Sequence, residues 1–206
     1  MPKKTFLNLK PEKQQFIRQC ALEEFSQYGY FNTKISRIAK NSNIAVGSFY
    51  QYFEDINDLF MYCIDEMVQL KFQYIKQELQ GCSSDDFQTI LKAMYTGGLR
   101  FVHDYPQSFK LAKTFSSIVD TPVFSKIMKY YTQPEENDWL KPEFEKAVAT
   151  NQIRSEISFE LFMMLMSKIN QTVVEYTSGY QNYDEENLEK VAQLATDILL
   201  NGITKE

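Results

Sequence analysis

The chain has 206 residues, of which 24% are charged and 15% are aromatic. This length suffices for one domain of ordinary size with a small additional module, and so many bulky apolar groups exclude a disordered chain. Only seven glycines and six prolines are present, which disfavours a many-turned all-β architecture. The composition therefore favours a helical protein with a sizeable core.

Apolar runs and cysteines limit the location and the cofactors of the protein. The longest apolar runs, such as 162–166, are far shorter than the ~20 residues that span a bilayer, and the N-terminus lacks the apolar run of a secretory signal. Cys20, Cys63 and Cys82 form no CxxC pair and have no cluster of histidines nearby. We therefore expect a soluble, cytoplasmic protein that carries neither a metal nor another cofactor.

Charge is distributed unevenly along the chain. Residues 1–50 contain eight basic and three acidic residues, a net charge of +5, whereas residues 51–206 carry −10. Because nucleic-acid phosphates attract lysine and arginine, this asymmetry favours a small N-terminal module that meets phosphate and a larger body that does not. A segment that is basic only for solubility is the alternative that charge by itself leaves open.

Apolar residues recur at spacings of three and four along most of the chain, which predicts an all-α protein. Glycine, proline, asparagine and capping residues divide this pattern into helices. In chain order we first expect a helix over 11–28 that stops at Gly29, a short helix capped by Thr33, and a polar turn at 41–43. A helix over about 45–52 follows, and then a long helix to about 79 that begins with a capping box of Asp55 and Asp58. A break is expected at 81–84.

The later helices are predicted from the same pattern. Three prolines interrupt 118–153, so the helices of that stretch are not placed individually. The other expected features are a helix over 87–105, a helix from Pro106 to about 117, a left-handed residue at Asn151, and two long helices over about 157–178 and 185–201.

The first three predicted helices and the start of the next, residues 17–60, carry the functional signal. Two short helices joined by a tight polar turn, with another helix packed across them, form a helix-turn-helix, whose second short helix enters the major groove of DNA. The residues that define the pattern are Ile17, Ala21, Phe25, Gly29-Tyr30, Thr33, Ile35, Ile38-Ala39, the run from Ile44 to Phe53, and Asp58-Leu59. In type and spacing this string resembles the N-terminal module of the tetracycline-repressor (TetR) family of bacterial transcriptional regulators. The resemblance implies a DNA-binding domain over 1–55 and a helical ligand-binding and dimerisation domain over 56–206.

The resemblance also implies which residues meet DNA. Thr33 and Tyr50 would donate to phosphates, which fixes the register without reading the sequence. Arg37 would bond guanine, Gln51 would bond adenine and Val46 would touch a thymine methyl group. The complete implied set is Thr33, Lys34, Ser36, Arg37, Ala45, Val46, Gly47, Ser48, Tyr50, Gln51 and Tyr52.

Two positions depart from the family pattern. Where the family usually has a phosphate-pairing lysine at the start of the next helix, this chain has Ile56, so Lys34 or Lys40 would have to substitute for it. Where the turn commonly holds glycine, this chain has Asn43, which accepts the left-handed conformation that such turns need.

For the body, the resemblance implies dimerisation through the last two helices and a ligand pocket among the central helices. The implied interface residues are Phe162, Met166, Leu188, Ala192, Ala195, Ile198 and Leu199. The candidate ligand-binding residues are Met67, Tyr74, Met94, Gly98, Phe101, Phe115, Met128, Trp139, Phe144, Met163 and Asn170. The alternatives are that the last two helices only close the monomer core and that the methionine and aromatic stripe is core.

Two residues of the body are out of place for their positions. Gly98, like Gly97, lies inside a helix, where glycine costs about 1 kcal/mol relative to alanine. Its missing side chain would either let another helix approach closely or leave room for a ligand. Asn170 is a polar residue on the apolar side of a helix, where its amide needs a partner such as a polar group of a ligand.

The expected function is a ligand-responsive transcriptional regulator: a homodimeric repressor that binds a palindromic operator in double-stranded DNA and is released by a small apolar or amphipathic ligand. A factor of chromosome organisation or division would use the same module without an inducer. An enzyme is disfavoured, because no paired carboxylates, metal-spaced ligands or nucleophile–base set stands out, and His103, the only histidine, has no catalytic partner at recognisable spacing.

Overall fold

The computed structural model describes residues 2–80, 86–118, 124–125, 139–178 and 185–203, and within these ranges every regular element is an α-helix, as predicted. None of the described helices has both the length and the apolar character needed to cross a membrane. The helices, labelled in chain order, are α1 (Lys4–Leu7), α2 (Pro11–Asn32), α3 (Ile35–Asn41), α4 (Val46–Tyr52), α5 (Ile56–Gln80), α6 (Phe87–Asp104), α7 (Pro106–Ser116), α8 (Leu140–Ala149), α9 (Phe159–Ser178) and α10 (Glu185–Ile203).

The breaks between helices fall where the sequence predicts them. Gly29 has a φ of 70° and interrupts α2 three residues before its end. Asn43 and Asn151 have φ angles of 54° and 59°, the left-handed conformation that asparagine tolerates. Pro142 lies in the first turn of α8, where its missing N–H is not needed by the helix. The predicted break at 81–84 lies outside the described residues.

Capping agrees with prediction at α5 and differs at α3. At α5, the N–H of Asp58 donates to Asp55 Oδ1 at 2.9 Å, and the Asp58 carboxylate accepts the N–H of Glu54 at 3.2 Å. At α3, the residue before the helix is Lys34, and its side chain makes no capping hydrogen bond to the helix. The hydroxyl of Thr33, which follows the last residue of α2, instead donates to the carbonyl of Gly29 four residues earlier, at 2.7 Å. The prediction that Thr33 caps α3 is therefore wrong.

Helix α1 is an element that the sequence did not predict, because a single turn shows no periodicity. Its Phe6 is completely buried. The ring of Phe6 lies 4.7 Å from that of Phe53 and 5.2 Å from that of Tyr62, measured between ring centroids. The N–H of Lys3 donates to the carbonyl of Tyr52 at 2.8 Å. Phe6 is thus part of the core beside α4, and the backbone at Lys3 is fixed to the end of that helix.

The chain forms two compact units, of which the first comprises residues 1–69 and 105–132 and the second comprises residues 70–104 and 133–206. This division differs from the predicted boundary between residues 55 and 56. In the first unit, α7 packs against α2, and the Thr114 hydroxyl donates to the carbonyl of Phe25 at 3.3 Å. The start of α5 and α7 therefore belong with the helix-turn-helix, because they cover the face of α2 that α3 and α4 leave open.

The second unit is built around α6, which packs against α10, α9 and α8. At one end of this core, Phe162 contacts the rings of Phe144 and Phe87, with centroid distances of 5.1 and 5.5 Å. At Gly97, α6 comes so close to α5 that an added Cβ would lie 2.8 Å from the Cα and N of Ile75. At Gly98 an added Cβ would meet only side-chain atoms, at 3.5 Å or more. Gly97, rather than Gly98, is the residue that permits the close helix contact.

These two glycines predict opposite effects on stability. Gly97→Ala places a methyl group against the backbone of α5 and should lower the free energy of unfolding by about 1–3 kcal/mol. Gly98→Ala creates only ordinary contacts and should raise it by up to about 1 kcal/mol through helix propensity. Thermal unfolding followed by circular dichroism measures both. Equal effects of the two substitutions would contradict the close approach at Gly97.

Candidate nucleic-acid interface

Helix α4 presents one face to the core and the other to solvent. Phe49 is completely buried, whereas Val46 and Tyr50 are 45% and 50% exposed, and Gly47 and Gln51 are exposed beside them. Residues four positions apart share a side of a helix, so Val46 lies beside Tyr50 and Gly47 lies beside Gln51. The first turn and the outer face of α4 therefore form a continuous exposed surface, as a helix that enters a DNA groove requires.

The turn between α3 and α4 is fixed by internal hydrogen bonds. The hydroxyl of the buried Ser42 donates to the carbonyl of Ile38 at 2.7 Å, and Lys13 Nζ donates to the carbonyl of Ser42 at 2.7 Å. The N–H of Ile44 donates to the carbonyl of Ala39 at 2.9 Å. With Asn43 in the left-handed conformation, these contacts set the angle between the two helices.

The last turn of α4 is held by the segment that contains α1. Lys3 Nζ donates to the carbonyl of Tyr50 at 2.9 Å, and the Thr5 hydroxyl donates to the carbonyl of Gln51. An ammonium group at this end also complements the negative end of the helix dipole. Because backbone carbonyls make these contacts, the side chains of Tyr50 and Gln51 remain available on the surface.

A buried carboxylate organises the start of α3. Glu24 of α2 is only 3% exposed, and its Oε1 accepts the N–H of Lys34 at 3.0 Å and Nε of Arg37 at 2.6 Å. Arg37 Nη2 also contacts Glu24 and donates to the carbonyl of Asn32 at 2.6 Å. The guanidinium lies 4.0 Å from the centroid of the Tyr28 ring. Glu24 thus joins α2 to the first turn of α3.

This arrangement gives Arg37 a different position from the one that the sequence implied. Its guanidinium is occupied by Glu24, Asn32 and Tyr28 instead of extending freely toward a base. The Glu24 hydrogen bond also raises the pKa of Arg37 above its already high ordinary value. Sequence reasoning missed Glu24, although it falls on the apolar stripe of α2, between Ala21 and Phe25, where a carboxylate needs a partner.

The other implied DNA contacts lie on the surface to different degrees. Lys34, Ser36 and Ala45 are exposed, whereas Thr33, Ser48 and Tyr52 are partly buried. The Thr33 hydroxyl already donates to a backbone carbonyl. At the position where the resemblance implies a lysine, Ile56 is partly buried, and Lys40 is exposed near the end of α3.

No contact inside the protein explains why residue 47 is a glycine. No heavy atom outside the local helix backbone lies within 4 Å of the position that its Cβ would take. Packing inside the protein therefore does not require glycine at this point of the exposed first turn. A glycine in a helix is disfavoured by about 1 kcal/mol relative to alanine, so its use here points to something outside the chain that approaches closely.

One cavity of about 180 Å³ lies in the second unit, lined by Phe72, Ile75, Lys76, Leu79 and Trp139. Of the candidate ligand-binding residues whose side chains the structure describes, Trp139 alone borders it. Among the other candidates, Phe101 and Phe144 are buried in the core of the second unit, and Met67 is buried in the core of the first unit. Tyr74, Met94 and Asn170 are partly buried, Gly98 is buried, and Met163 is 37% exposed. The side chain of Phe115 and the whole of Met128 lie outside the described residues.

The implied interface residues mostly face the core of their own unit. Ile198 is 66% exposed and Met166 is partly buried, but the remaining five are 5% exposed or less: Phe162, Leu188, Ala192, Ala195 and Leu199. Their burial inside the monomer does not favour these five residues as interface residues, and the dimer interface itself stays a prediction. The apolar stripe that the sequence shows on each helix is the stripe that packs inside the monomer, whereas a second, shorter apolar set on α9 and α10 is exposed: Leu161, Met164, Leu165, Leu194 and Ile198.

Within the described ranges, no group of three His, Cys, Asp or Glu residues is arranged to hold a metal. His103 Nδ1 lies 3.0 Å from Asp104 Oδ1, and the two side chains are about half exposed. The Asp104 carboxylate also accepts the hydroxyl of Tyr74 at 2.7 Å, and this hydrogen bond is the main reason that the pKa of Asp104 lies below its ordinary value.

Comparison with known proteins relates this geometry to a family. Residues 17–63 match the family model of bacterial regulatory proteins, tetR family. Over 70 residues the chain is 30% identical to the HTH-type transcriptional regulator HbdR of Aromatoleum sp. (strain CIB), a match that covers 34% of this chain and 31% of that protein. The chain spans about half of the length, or less, of the curated relatives that it matches.

Two solved structures show that the likeness in fold extends along the chain. A TetR family transcriptional regulator from Chloroflexus aurantiacus has a TM-score of 0.70 and 22% identity, with both chains covered completely. The regulator FadR from Bacillus subtilis, solved in complex with stearoyl-CoA, has a TM-score of 0.67 and 16% identity, covering 92% of this chain and 98% of that chain. At these identities the likeness concerns the fold alone.

The position of Glu24 predicts a stability effect that its neighbour does not share. Glu24→Gln removes the charge that two hydrogen-bond donors face, and should lower the free energy of unfolding by about 1–3 kcal/mol. Glu23→Gln changes an exposed carboxylate on the same helix and should alter it by less than about 0.5 kcal/mol. Chemical denaturation of the two variants tests this difference. A Glu24→Gln variant as stable as Glu23→Gln would show that the buried contact contributes nothing.

Proposed function

We propose that this chain, whose residues 17–63 match the family model of bacterial regulatory proteins, tetR family, is a member of that family and acts as a cytoplasmic, homodimeric transcriptional repressor. It binds a palindromic operator in double-stranded DNA and leaves it when a small apolar or amphipathic ligand binds to the second unit. The observation that carries the proposal is the exposed outer face of α4, with an unexplained glycine in its first turn.

The chemistry of that face suits a DNA groove. The hydroxyl of Tyr50 donates to a phosphate, Gln51 is able to bond both groups of an adenine edge, and Val46 offers a methyl contact to thymine. Lys34 and Lys40 supply the positive charge that pairs with a DNA phosphate, which Ile56 does not. Arg37 acts through Glu24 as a positioning residue that orients α3, so it is removed from the set that reads bases.

Ligand response is supported by the cavity beside Trp139, whose lining is almost entirely apolar apart from Lys76. Apolar cavities of this kind accept hydrophobic bodies. The structurally similar FadR of Bacillus subtilis was solved with stearoyl-CoA, a ligand with a long apolar chain. For release, the ligand must favour a state with wrongly spaced recognition helices by about 3–5 kcal/mol.

Dimerisation is assigned to the exposed apolar surface of α9 and α10. Met164, Leu194 and Ile198 are 68%, 59% and 66% exposed, although the two helices pack against each other and against α6. Exposed apolar groups on adjacent helices are typical of a surface that a partner covers. A second copy of the chain is the partner that a palindromic operator requires.

Gly47→Ala separates DNA binding from folding. The added methyl group meets nothing within the protein, so the free energy of unfolding should rise by about 0.5–1 kcal/mol through helix propensity. The same methyl group stands between the helix backbone and the DNA, so affinity for a selected site should fall by about tenfold or more, equivalent to 1.4 kcal/mol. Fluorescence anisotropy on DNA obtained by binding-site selection measures the affinity, and thermal unfolding measures the stability.

Gly98→Ala is the matched control, because it makes the same change in a helix of the other unit and should leave DNA affinity unaltered. An unchanged affinity of Gly47→Ala would remove the first turn of α4 from the interface. Mapping of bound DNA across the genome distinguishes the regulator from a chromosome-organising factor. A regulator occupies a few sites beside genes, whereas an organising factor occupies many dispersed sites.

The exposed apolar surface predicts how the dimer can be separated. Ile198→Arg places an unpaired charge in the proposed interface and should weaken dimerisation by about 2 kcal/mol or more without loss of helical circular dichroism. Glu186→Arg, at an exposed polar position of the same helix, is the control and should remain dimeric. Analytical ultracentrifugation gives the oligomeric state. Dimers that persist in both Ile198→Arg and Leu194→Arg would assign the interface to another surface.

A further inference from the structure

Two polar side chains converge on Gly98. An added Cβ at this residue would lie 3.5 Å from Cε and 4.0 Å from Nζ of Lys71, and 4.0 Å from Oδ1 of Asn170. Lys71 comes from α5 and Asn170 from α9, so three helices of the second unit place their groups at one point. The glycine leaves this point without a side chain of its own.

The ammonium of Lys71 lacks a counter-charge among the residues that the structure describes. No hydrogen bond or ion pair to these residues involves it, and burial alone lowers its pKa, without a nearby carboxylate to oppose the effect. Burying an unpaired ammonium is unfavourable. The neighbouring cation Arg100 differs, because it is already paired with Glu78 and Glu189.

Asn170 is in a similar position. Its amide has two donors and one acceptor, and none of them has a hydrogen-bond partner among the described residues. The amide atom that faces Gly98 is the acceptor Oδ1. A half-turn of the side-chain amide exchanges Oδ1 and Nδ2, so that Asn170 presents N–H donors at the same place as the Lys71 ammonium. An ammonium and amide N–H groups are together suited to bind an anion, most simply a carboxylate, through charge-assisted hydrogen bonds.

The apolar cavity lies next to this pair along α5. Ile75 follows Lys71 by four residues, so the two are neighbours on the helix surface. Ile75 also lines the cavity, together with Phe72, Leu79 and Trp139. An ammonium beside an apolar cavity matches a ligand that has a charged head and an apolar body.

We propose that Lys71 and Asn170 form the head-group site for the carboxylate of an amphipathic ligand whose apolar body occupies the cavity at Trp139. The inference deepens the proposed function, on which it rests, by assigning the ligand a negative charge. A neutral or cationic apolar ligand would leave Lys71 without a partner and would be bound more weakly.

The test compares decanoate with decanol on the full-length chain. Trp139 is the single tryptophan of the sequence, so its fluorescence reports occupancy of the cavity, and calorimetry checks the affinity independently. Decanoate should bind at least tenfold more tightly than decanol. Lys71→Met should weaken decanoate binding at least tenfold and leave decanol within threefold. Lys92→Met, at an exposed lysine of α6 that does not line the cavity, should change neither by more than threefold.

The melting temperature of the Lys71→Met variant provides a second readout. It distinguishes a ligand-binding lysine from one that stabilises the fold, because loss of a stabilising lysine would lower the melting temperature. Because the ammonium is unpaired, Lys71→Met should melt at the temperature of the wild type or above it. Asn170→Leu provides an independent variant and should also reduce the preference for decanoate. Equal binding of decanoate and decanol, no binding of decanoate, an unaltered preference in Lys71→Met, or a marked fall in its melting temperature would each overturn the proposal.

These outcomes are separate from failure of the proposed function, because none of them is read through DNA. If decanoate binding does not depend on Lys71, the DNA-binding assignment of α4 is unaffected. If decanoate binds through Lys71 but leaves the affinity for the selected DNA site unchanged, the head-group site stands and ligand-controlled repression fails.

Discussion

The orientation of the exposed helix face depends on one buried carboxylate. Glu24 lies on the apolar side of α2, and its carboxylate accepts hydrogen bonds from the backbone N–H of Lys34 and the guanidinium of Arg37. Since a carboxylate buried at 3% exposure is costly without partners, the start of α3 is favoured where the N–H of Lys34, the residue before the helix, and the guanidinium of Arg37 reach it. The turn at Asn43 then carries this position over to α4. A buried ion pair therefore sets the direction of the exposed face of α4, although no residue of that face contacts Glu24.

The two units use charged side chains at buried or partly buried positions in opposite ways. In the first unit, Glu24 and Arg37 complete each other, and the result is a fixed framework. In the second unit, Lys71 has no such partner among the described residues, and the charge remains available to a molecule from outside. Satisfied polar groups specify a structure, whereas an unsatisfied one near a cavity marks a place where binding is favourable.

The adjacent glycines of α6 show how neighbouring positions acquire different roles. Gly97 is needed because the backbone of α5 at Ile75 leaves no room for a Cβ. Gly98 faces the ends of two flexible polar side chains, so its small size leaves the space open instead of permitting a contact. Both glycines carry the same cost in helix propensity, and only their surroundings distinguish them.

The sequence by itself determined the all-α class, most helix limits, the left-handed residues Asn43 and Asn151, and the helix-turn-helix, because these features depend on local spacing and backbone preference. It did not determine which partner each apolar stripe or charge would meet. Phe6 in the core, Arg37 on Glu24 and Ala195 inside the monomer depend on contacts between residues far apart in the chain. Only the tertiary structure decided them, since a helical period identifies a face but does not show what covers it.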